Sequence, residues 1–125
     1  MTRPRAVVLT IVALLLAGCN IGAYIDVGPN DSPPSVSLAV SPASAARGDT
    51  IGLVAAAADD YRVVEVTFYR IDIGGDTLLG RDGSAPYALE TVVPAGASGE
   101  VRFFARAIDD AGQMGESQVL AVTVR

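Results

Sequence analysis

The feature that most constrains the fold of this chain is a two-residue alternation of apolar and other side chains. From residue 35 onward, short runs of alternating or β-branched residues are separated by turn residues, and no helical period is sustained over three turns. Successive side chains of a strand point to opposite faces of a sheet, so this alternation predicts strands with one buried face. The sequence therefore predicts an all-β domain.

Seven strands are predicted, at 36–40, 50–58, 63–71, 77–79, 87–93, 100–108 and 118–124. Turn-forming residues such as Gly74-Gly75 and Asp82-Gly83 separate them. The predicted core faces are Ile51, Leu53, Ala55 and Ala57 on the second strand, Val64, Val66 and Phe68 on the third, and Val101, Phe103, Ala105 and Ala107 on the sixth. Seven half-buried strands within residues 35–125 predict an immunoglobulin-like β-sandwich.

Several short pieces of the chain, in this order and spacing, are similar to those of a bacterial immunoglobulin-like domain. They are Ala57-Ala58-Asp59-Asp60, Val64-Glu65-Val66-Thr67-Phe68-Tyr69, Ala85-Pro86-Tyr87, Ala105-Arg106-Ala107-Ile108-Asp109-Asp110-Ala111-Gly112 and Val122-Thr123-Val124. The chain departs from this family at Tyr61, where a glycine is usual. The resemblance implies a module of the kind appended to secreted glycoside hydrolases and surface proteins, which serves as a spacer, an adhesive unit or a binding unit. The fold does not decide among these roles.

The N-terminus has the layout of a secretory signal peptide, with Arg3 and Arg5 followed by an apolar run over 6–16. A membrane-spanning helix needs about 20 apolar residues, so this run is too short to anchor the chain. Leu16-Ala17-Gly18-Cys19 resembles the lipobox of bacterial lipoproteins, which implies cleavage after residue 18 and lipidation of Cys19. The alternative is an unmodified thiol in an ordinary signal peptide.

Residues 19–34 are predicted to be a lipidated N-terminus and a flexible tether, because glycine and proline recur there. The acyl chains of a lipidated Cys19 would hold the protein in a membrane. Asn20 is not the aspartate that retains some lipoproteins at an inner membrane. The predicted location is therefore the cell envelope, at the outer membrane or the cell surface, with the domain at 35–125 held close to the lipid.

Composition excludes several classes of function. Without residues 1–18, the chain has seven arginines against fourteen Asp and Glu residues, a formal charge of −7, which disfavours nucleic acid as a partner. Lysine and histidine are absent, which removes the commonest general base and the commonest nitrogen ligand of zinc. One cysteine allows no intramolecular disulfide. We therefore expect no enzyme activity.

Two acidic pairs, Asp59-Asp60 and Asp109-Asp110, follow long predicted strands. In a seven-stranded sandwich the loops after the second, fourth and sixth strands lie at one pole, so Asp82 is expected there as well. Calcium takes several oxygen ligands from such loops, and Asp59, Asp60, Asp109 and Asp110 are a candidate calcium site. The alternative is that these aspartates cap turns and pair with Arg62, Arg81 or Arg106. No other cofactor is predicted.

Two further patterns have both a structural and a functional interpretation. Arg47-Gly48-Asp49 matches an adhesion tripeptide, but its place between the first two predicted strands favours a polar turn. Tyr61, Tyr69 and Tyr87 could form a sugar-stacking platform, but they lie on different strands and Tyr87 is expected in the core, so core packing is favoured.

The sequence thus predicts a non-catalytic cell-envelope lipoprotein that displays one immunoglobulin-like domain for contact with a protein or a glycan. The alternative is a structural or accessory subunit of a membrane-associated envelope assembly. Because the first strand is expected to start at the acidic pole, that pole should face the membrane. The loops at 41–49, 72–76 and 94–99 should then face outward.

Overall fold

Strands form where the side chains alternate, in a computed structural model that describes residues 32–125. The strands are β1 Ser35–Ser41, β2 Ser44–Ala45, β3 Thr50–Ala58, β4 Val63–Asp72, β5 Gly75–Asp82, β6 Tyr87–Val92, β7 Glu100–Asp109, β8 Met114–Glu116 and β9 Leu120–Val124. This part of the chain contains no helix, so the all-β prediction is confirmed. The predicted signal peptide, Cys19 and nearly all of the tether lie outside the described residues.

The strands form two sheets with the apolar core between them. The smaller sheet has the order β1-β3-β6, and the larger has the order β2-β9-β7-β4-β5, with β8 paired to β7. The most buried large side chains include Ile51, Leu53, Val66, Phe68, Phe103 and Val122, contributed by both sheets. The arrangement confirms a sandwich of two sheets.

The prediction of seven strands is wrong by two, because the described residues contain nine. The first additional strand, β2, has only two residues, which is too short to show a period, and it pairs in parallel with β9. The second, β8, is a Met114-Gly115-Glu116 segment that pairs antiparallel with β7. Its glycine, close after Gly112, gives it the composition of a turn rather than a strand.

One predicted core residue is on the surface. Val64 is 39% exposed, whereas Val66 and Phe68, two and four residues later, are fully buried. The pairing register of β4 with β7 shifts between Val63 and Glu65, which breaks the alternation at the start of the strand. The predicted burial of Tyr87 is confirmed.

Strand pairing places six strand ends at one end of the sandwich. The start of β1 pairs with the end of β3 at Ser35 and Ala58, and the start of β4 pairs with the end of β7 at Val63 and Asp109. The end of β5 and the start of β6 lie at the same end. The loops at 59–62, 83–86 and 110–113 therefore share one end, called here the acidic pole, as predicted. The opposite end, with the loops at 42–49, 73–74 and 93–99, is the distal pole.

The open edge of β1 is partly covered by a side chain of the segment that leads into β9. The Gln118 amide donates from Nε2 to the Leu38 carbonyl at 3.3 Å, and its Oε1 accepts from the Leu38 N–H at 3.4 Å. One amide thus occupies both backbone groups of Leu38, in the middle of β1.

Gly115 in β8 lies against the backbone that precedes β1. A Cβ atom at this position would overlap the carbonyl oxygen of Pro34. Only glycine allows this approach of the two segments, which closes the sandwich at the acidic pole.

Candidate functional site

Asp109, at the end of β7, is the most buried charged residue among those described, with 2% of its surface exposed. Its Oδ1 accepts hydrogen bonds from the N–H groups of Ala111 at 2.9 Å and Gln113 at 2.8 Å. These bonds fix the turn at 110–113, in which Gly112 has a φ of +83° that favours glycine. The other oxygen, Oδ2, is buried and has no hydrogen-bond partner.

Asp59, in the loop that follows β3, likewise has one oxygen with a hydrogen bond and one without. Its Oδ2 accepts from the N–H of Tyr61 at 3.3 Å, whereas its Oδ1 is buried without a partner. The Oε1 of Gln113 is a third buried oxygen without a partner. The two loops are joined directly, because the N–H of Asp110 donates to the carbonyl of Arg62 at 3.2 Å. The acidic pole therefore holds three buried oxygens that have no donor within residues 32–125.

The other acidic residues of this pole differ. Asp82 uses both of its oxygens, accepting from the N–H groups of Ser84 at 3.2 Å and Ala88 at 3.0 Å. Asp60 and Asp110 are exposed. Within residues 32–125, no three Asp, Glu, His or Cys side chains come close enough together to hold a metal ion.

The predicted alternative, turn capping and ion pairing, is confirmed in its first half. Asp59, Asp82 and Asp109 all cap turns with their own side chains. Across residues 32–125, however, no ion pair joins Asp59 or Asp109 to an arginine. Arg106 pairs instead with Glu116, with 2.5 Å between Nη2 and Oε2.

The Arg47-Gly48-Asp49 tripeptide forms a turn at the distal pole. Asp49 Oδ2 accepts from the N–H of Ala46 at 2.9 Å, and Arg47 Nε donates to the carbonyl of Ala97 at 2.6 Å. The backbone of Gly48 and Asp49 bonds to that of Val93. Because both charged side chains hold the turn and its neighbouring loop, the geometry supports the structural interpretation.

The three tyrosines do not form a platform. Tyr87 is buried in the core, Tyr61 is 66% exposed at the acidic pole, and Tyr69 lies on the outer face of the larger sheet. Tyr69 stacks on Phe104, its cross-strand neighbour, with ring centroids 4.9 Å apart and planes 11° apart. The sequence does not show this pair, because it depends on the register between β4 and β7.

The aromatic pair is covered by a fixed cation. The guanidinium of Arg106 lies 4.9 Å from the ring centroid of Tyr69, and its hydrogen bond to Glu116 raises the pKa of Arg106. Such a cation over a ring face adds to the stability of the stack. Because Arg106 already lies over the Tyr69 ring, the Tyr69–Phe104 pair contributes to packing within the fold.

A groove of about 450 Å³ lies at the distal pole, between the β4–β5 hairpin and the loop that precedes β7. Its lining combines apolar and charged side chains: Arg70, Asp72, Ile73, Pro94, Ala97 and Arg102. Arg70 donates two hydrogen bonds to Asp72, at 2.8 and 3.0 Å, and Thr77 donates a third. These bonds, that of Arg70 first, lower the pKa of Asp72 to about 2. Ile73 is fully exposed at the rim.

This sandwich is similar to a solved structure from Clostridium thermocellum, described as fibronectin(III)-like modules of CbhA. The two chains are 32% identical and superpose with a TM-score of 0.56. The match covers 71% of this chain and 93% of the other. The chain belongs to the fibronectin(III)-like modules. No family model and no curated protein matches it.

Pro33–Arg125 form one compact unit, which contains the strands of the fibronectin(III)-like module. Its two sheets, β1-β3-β6 and the larger sheet around β7 and β4, carry the loops that bear both the acidic pole and the distal groove. Over residues 32–125, no helix has the length and apolar character needed to span a membrane.

Proposed function

We propose that this chain is a membrane-anchored envelope lipoprotein that displays one fibronectin(III)-like module for non-catalytic contact with a protein or a glycan. The observation that carries the proposal is the combination of a fibronectin(III)-like sandwich with the Leu16-Ala17-Gly18-Cys19 sequence ahead of it. A sandwich module without lysine or histidine has few of the groups that catalysis requires, which supports a binding or structural role.

The anchoring part of the proposal is tested at Cys19. In cells that express the full chain, Cys19→Ala should move the protein from the membrane fraction to the soluble fraction, or leave its signal peptide uncleaved. Metabolic labelling with a fatty acid should mark the wild-type chain and not the variant. A variant that is processed normally and stays in the membrane would contradict the anchor.

The contact part of the proposal rests on the position of the groove. β1 begins at the acidic pole, so the tether would join the module there, and the distal pole would face away from the membrane. The groove at this outward pole has a mixed lining of apolar and charged side chains, as binding sites commonly do. Ile73 stands fully exposed beside it. We therefore assign the contact surface to the distal pole.

A second candidate function, a structural subunit of an envelope assembly, is favoured by a different surface. Val54 and Val92 are 50% and 51% exposed on the outer face of the smaller sheet. Their neighbours on that face include the small residues Ser37, Ala39, Gly52, Ala56 and Ala88, together with the charged Glu90, which pairs with Gly52. A face of exposed valines and small residues, with one charge, would suit packing against another subunit.

Two matched substitutions distinguish these functions. Ile73→Asp places a charge at the distal groove, and Val54→Asp places the same charge on the smaller sheet. Affinity capture from detergent-solubilised envelopes should lose its specific partner with Ile73→Asp and keep it with Val54→Asp. The reverse result would favour the assembly role, and retention of the partner by both variants would exclude the distal groove.

A further inference from the structure

An apolar row of side chains crosses the outer face of the larger sheet. The strand register pairs Leu78 of β5 with Tyr69 of β4, and Tyr69 with Phe104 of β7. Val119 continues the row next to β7, because the residue after it begins β9 and faces the core. Leu78 and Val119, at the two ends of the row, are 43% and 50% exposed. The row is therefore open to a partner at both of its ends.

A charged row lies on each side of the apolar row. Towards the distal pole, Asp76 of β5 and Arg102 of β7 both pair with the same residue of β4. Towards the acidic pole, Arg81 of β5 and Glu116 of β8 lie on the two sides of the row that contains Arg106. Each charged row thus has an acidic residue and an arginine on different strands.

The groups at the two ends of the second charged row have bonding capacity left. Within residues 32–125, Arg81 takes part in no ion pair. Glu116 accepts both hydrogen bonds of Arg106 through Oε2, at 2.9 and 2.5 Å, and its Oε1 accepts none from this part of the chain. With Glu65, this face carries three arginines and three acidic residues, so the formal charge of −7 belongs to the rest of the chain.

The geometry points to a pairing of two copies of this chain through the outer face of the larger sheet. The two-fold axis runs along the strands, between β4 and β7. Rotation about this axis places Arg81 of each copy over Glu116 of the other, and Leu78 over Val119. A partner with charges of one sign would meet as many repelling as attracting groups, whereas a second copy brings the complementary pattern.

The direction of the axis decides how the two copies point. With the axis along the strands, both acidic poles lie at the same end of the pair, as anchorage of both copies in one membrane would require under the proposed function. An axis across the strands would place the poles at opposite ends and set Arg102 of one copy over Arg106 of the other. Like charges that face each other are costly, so this second arrangement is disfavoured.

The size of the face sets the strength of the pairing. Four strand positions spaced by about 4.8 Å, and about 20 Å along each strand, give roughly 400 Å² in each copy. Both copies together would bury about 800 Å², which is less than the roughly 1,200 Å² of a stable complex. The pair is therefore weak, and it forms where the local concentration is high.

Cross-linking of the full chain tests the pairing. Leu78→Cys and Val119→Cys are placed in two differently tagged copies, which are treated with a short bis-maleimide. The two positions would face each other across sheets about 10 Å apart. We expect a product that carries both tags in cell membranes, and also in the purified chain at about 1 mM, where a weak dimer is populated. Val54→Cys, on the smaller sheet, replaces Val119→Cys in the control and should give no such product.

Exchanging charges makes the test specific. Arg81→Glu in both copies places two carboxylates over each other twice, so the cross-linked fraction should fall about tenfold. Glu116→Arg in both copies should act likewise. Arg81→Glu in one copy and Glu116→Arg in the other restores both contacts, and cross-linking should recover. The two positions lie three strand spacings apart within one copy, about 14 Å, so recovery reports a contact between copies.

The pairing is overturned if Val119→Cys gives no more cross-linked product than Val54→Cys, both in membranes and in the concentrated chain. It is also overturned if the mixed charge exchange fails to recover the product. Arg62→Glu, the same change of charge at the acidic pole, should leave cross-linking intact, and an equal loss with this variant would indicate a general charge effect instead. Cross-linking of the purified chain supports the pairing even where the test at Cys19 contradicts the anchor.

Discussion

The carboxylates at the two poles of this module have different hydrogen-bond partners. At the distal pole, Asp72 is held by Arg70 and Thr77, and Asp49 caps its own turn beside Arg47. At the acidic pole, Asp59 and Asp109 each cap a turn but leave one buried oxygen without a donor. Within residues 32–125, Asp72 therefore has an arginine partner, whereas one buried oxygen of Asp59 and one of Asp109 have no donor.

The difference shows that a hydrogen bond within the turn satisfies only one of the two oxygens of an aspartate. An aspartate at a strand end readily accepts from the backbone N–H two residues on, and the structure has this bond for Asp59, Asp82 and Asp109. A hydrogen bond to the second oxygen requires a donor outside that turn. Asp72 obtains one from Arg70 and Asp82 obtains one from Ala88, whereas no group within residues 32–125 donates to the second oxygen of Asp59 or of Asp109.

The largest effect is expected from removal of the buried carboxylate. Asp109→Ala would leave the N–H groups of Ala111 and Gln113 without an acceptor, and we expect the free energy of unfolding to fall by about 2–4 kcal/mol. Urea unfolding of the full chain measures this loss. Asp110→Ala, in the same turn, is the control and should stay within about 0.5 kcal/mol of the wild type. Equal losses in the two variants would remove the special role of Asp109.

A second comparison uses one glycine from each pole. Gly115→Ala would push a methyl group into the Pro34 carbonyl, and we expect a loss of about 1–3 kcal/mol. Gly74→Ala, at the distal pole, meets no atom within 4 Å and should change stability by less than about 0.5 kcal/mol. If urea unfolding finds Gly115→Ala as stable as Gly74→Ala, Pro34 does not pack against β8.

The smallest effect concerns pH at the distal pole. The pKa of Asp72 is lowered from 3.8 to about 2, so its ionised form stabilises the fold above pH 4, and this contribution is lost as the pH falls toward 2. In Asp72→Asn the melting temperature should therefore fall less steeply between pH 4 and pH 2. Thr77→Val, which removes one of the donors to Asp72, should give an intermediate slope. Identical slopes in all three proteins would contradict the network.

The sequence predicted the strands and most of the core because alternation is a local property. It failed at Val64, where a register shift between β4 and β7 overrides alternation, and at β2 and β8, which are too short or too rich in glycine to show a period. It also placed the acidic loops at one pole. The buried side-chain oxygen of Gln113 could not be predicted, because an uncharged side chain four residues after Asp109 has no distinguishing pattern. Whether an oxygen remains unpaired is decided by the contacts that form on folding.

The amide of Gln118 bears on edge-to-edge pairing between copies of the module, which would be crowded together if the chain is anchored in a membrane as proposed. An unpaired strand edge offers its N–H and C=O groups to any neighbouring chain, and copies crowded on one surface meet such edges often. In β1 the central residue, Leu38, has both groups occupied by Gln118, so an incoming strand finds only three residues on either side. A single glutamine thereby shortens the free strand edge that β1 would offer for edge-to-edge pairing.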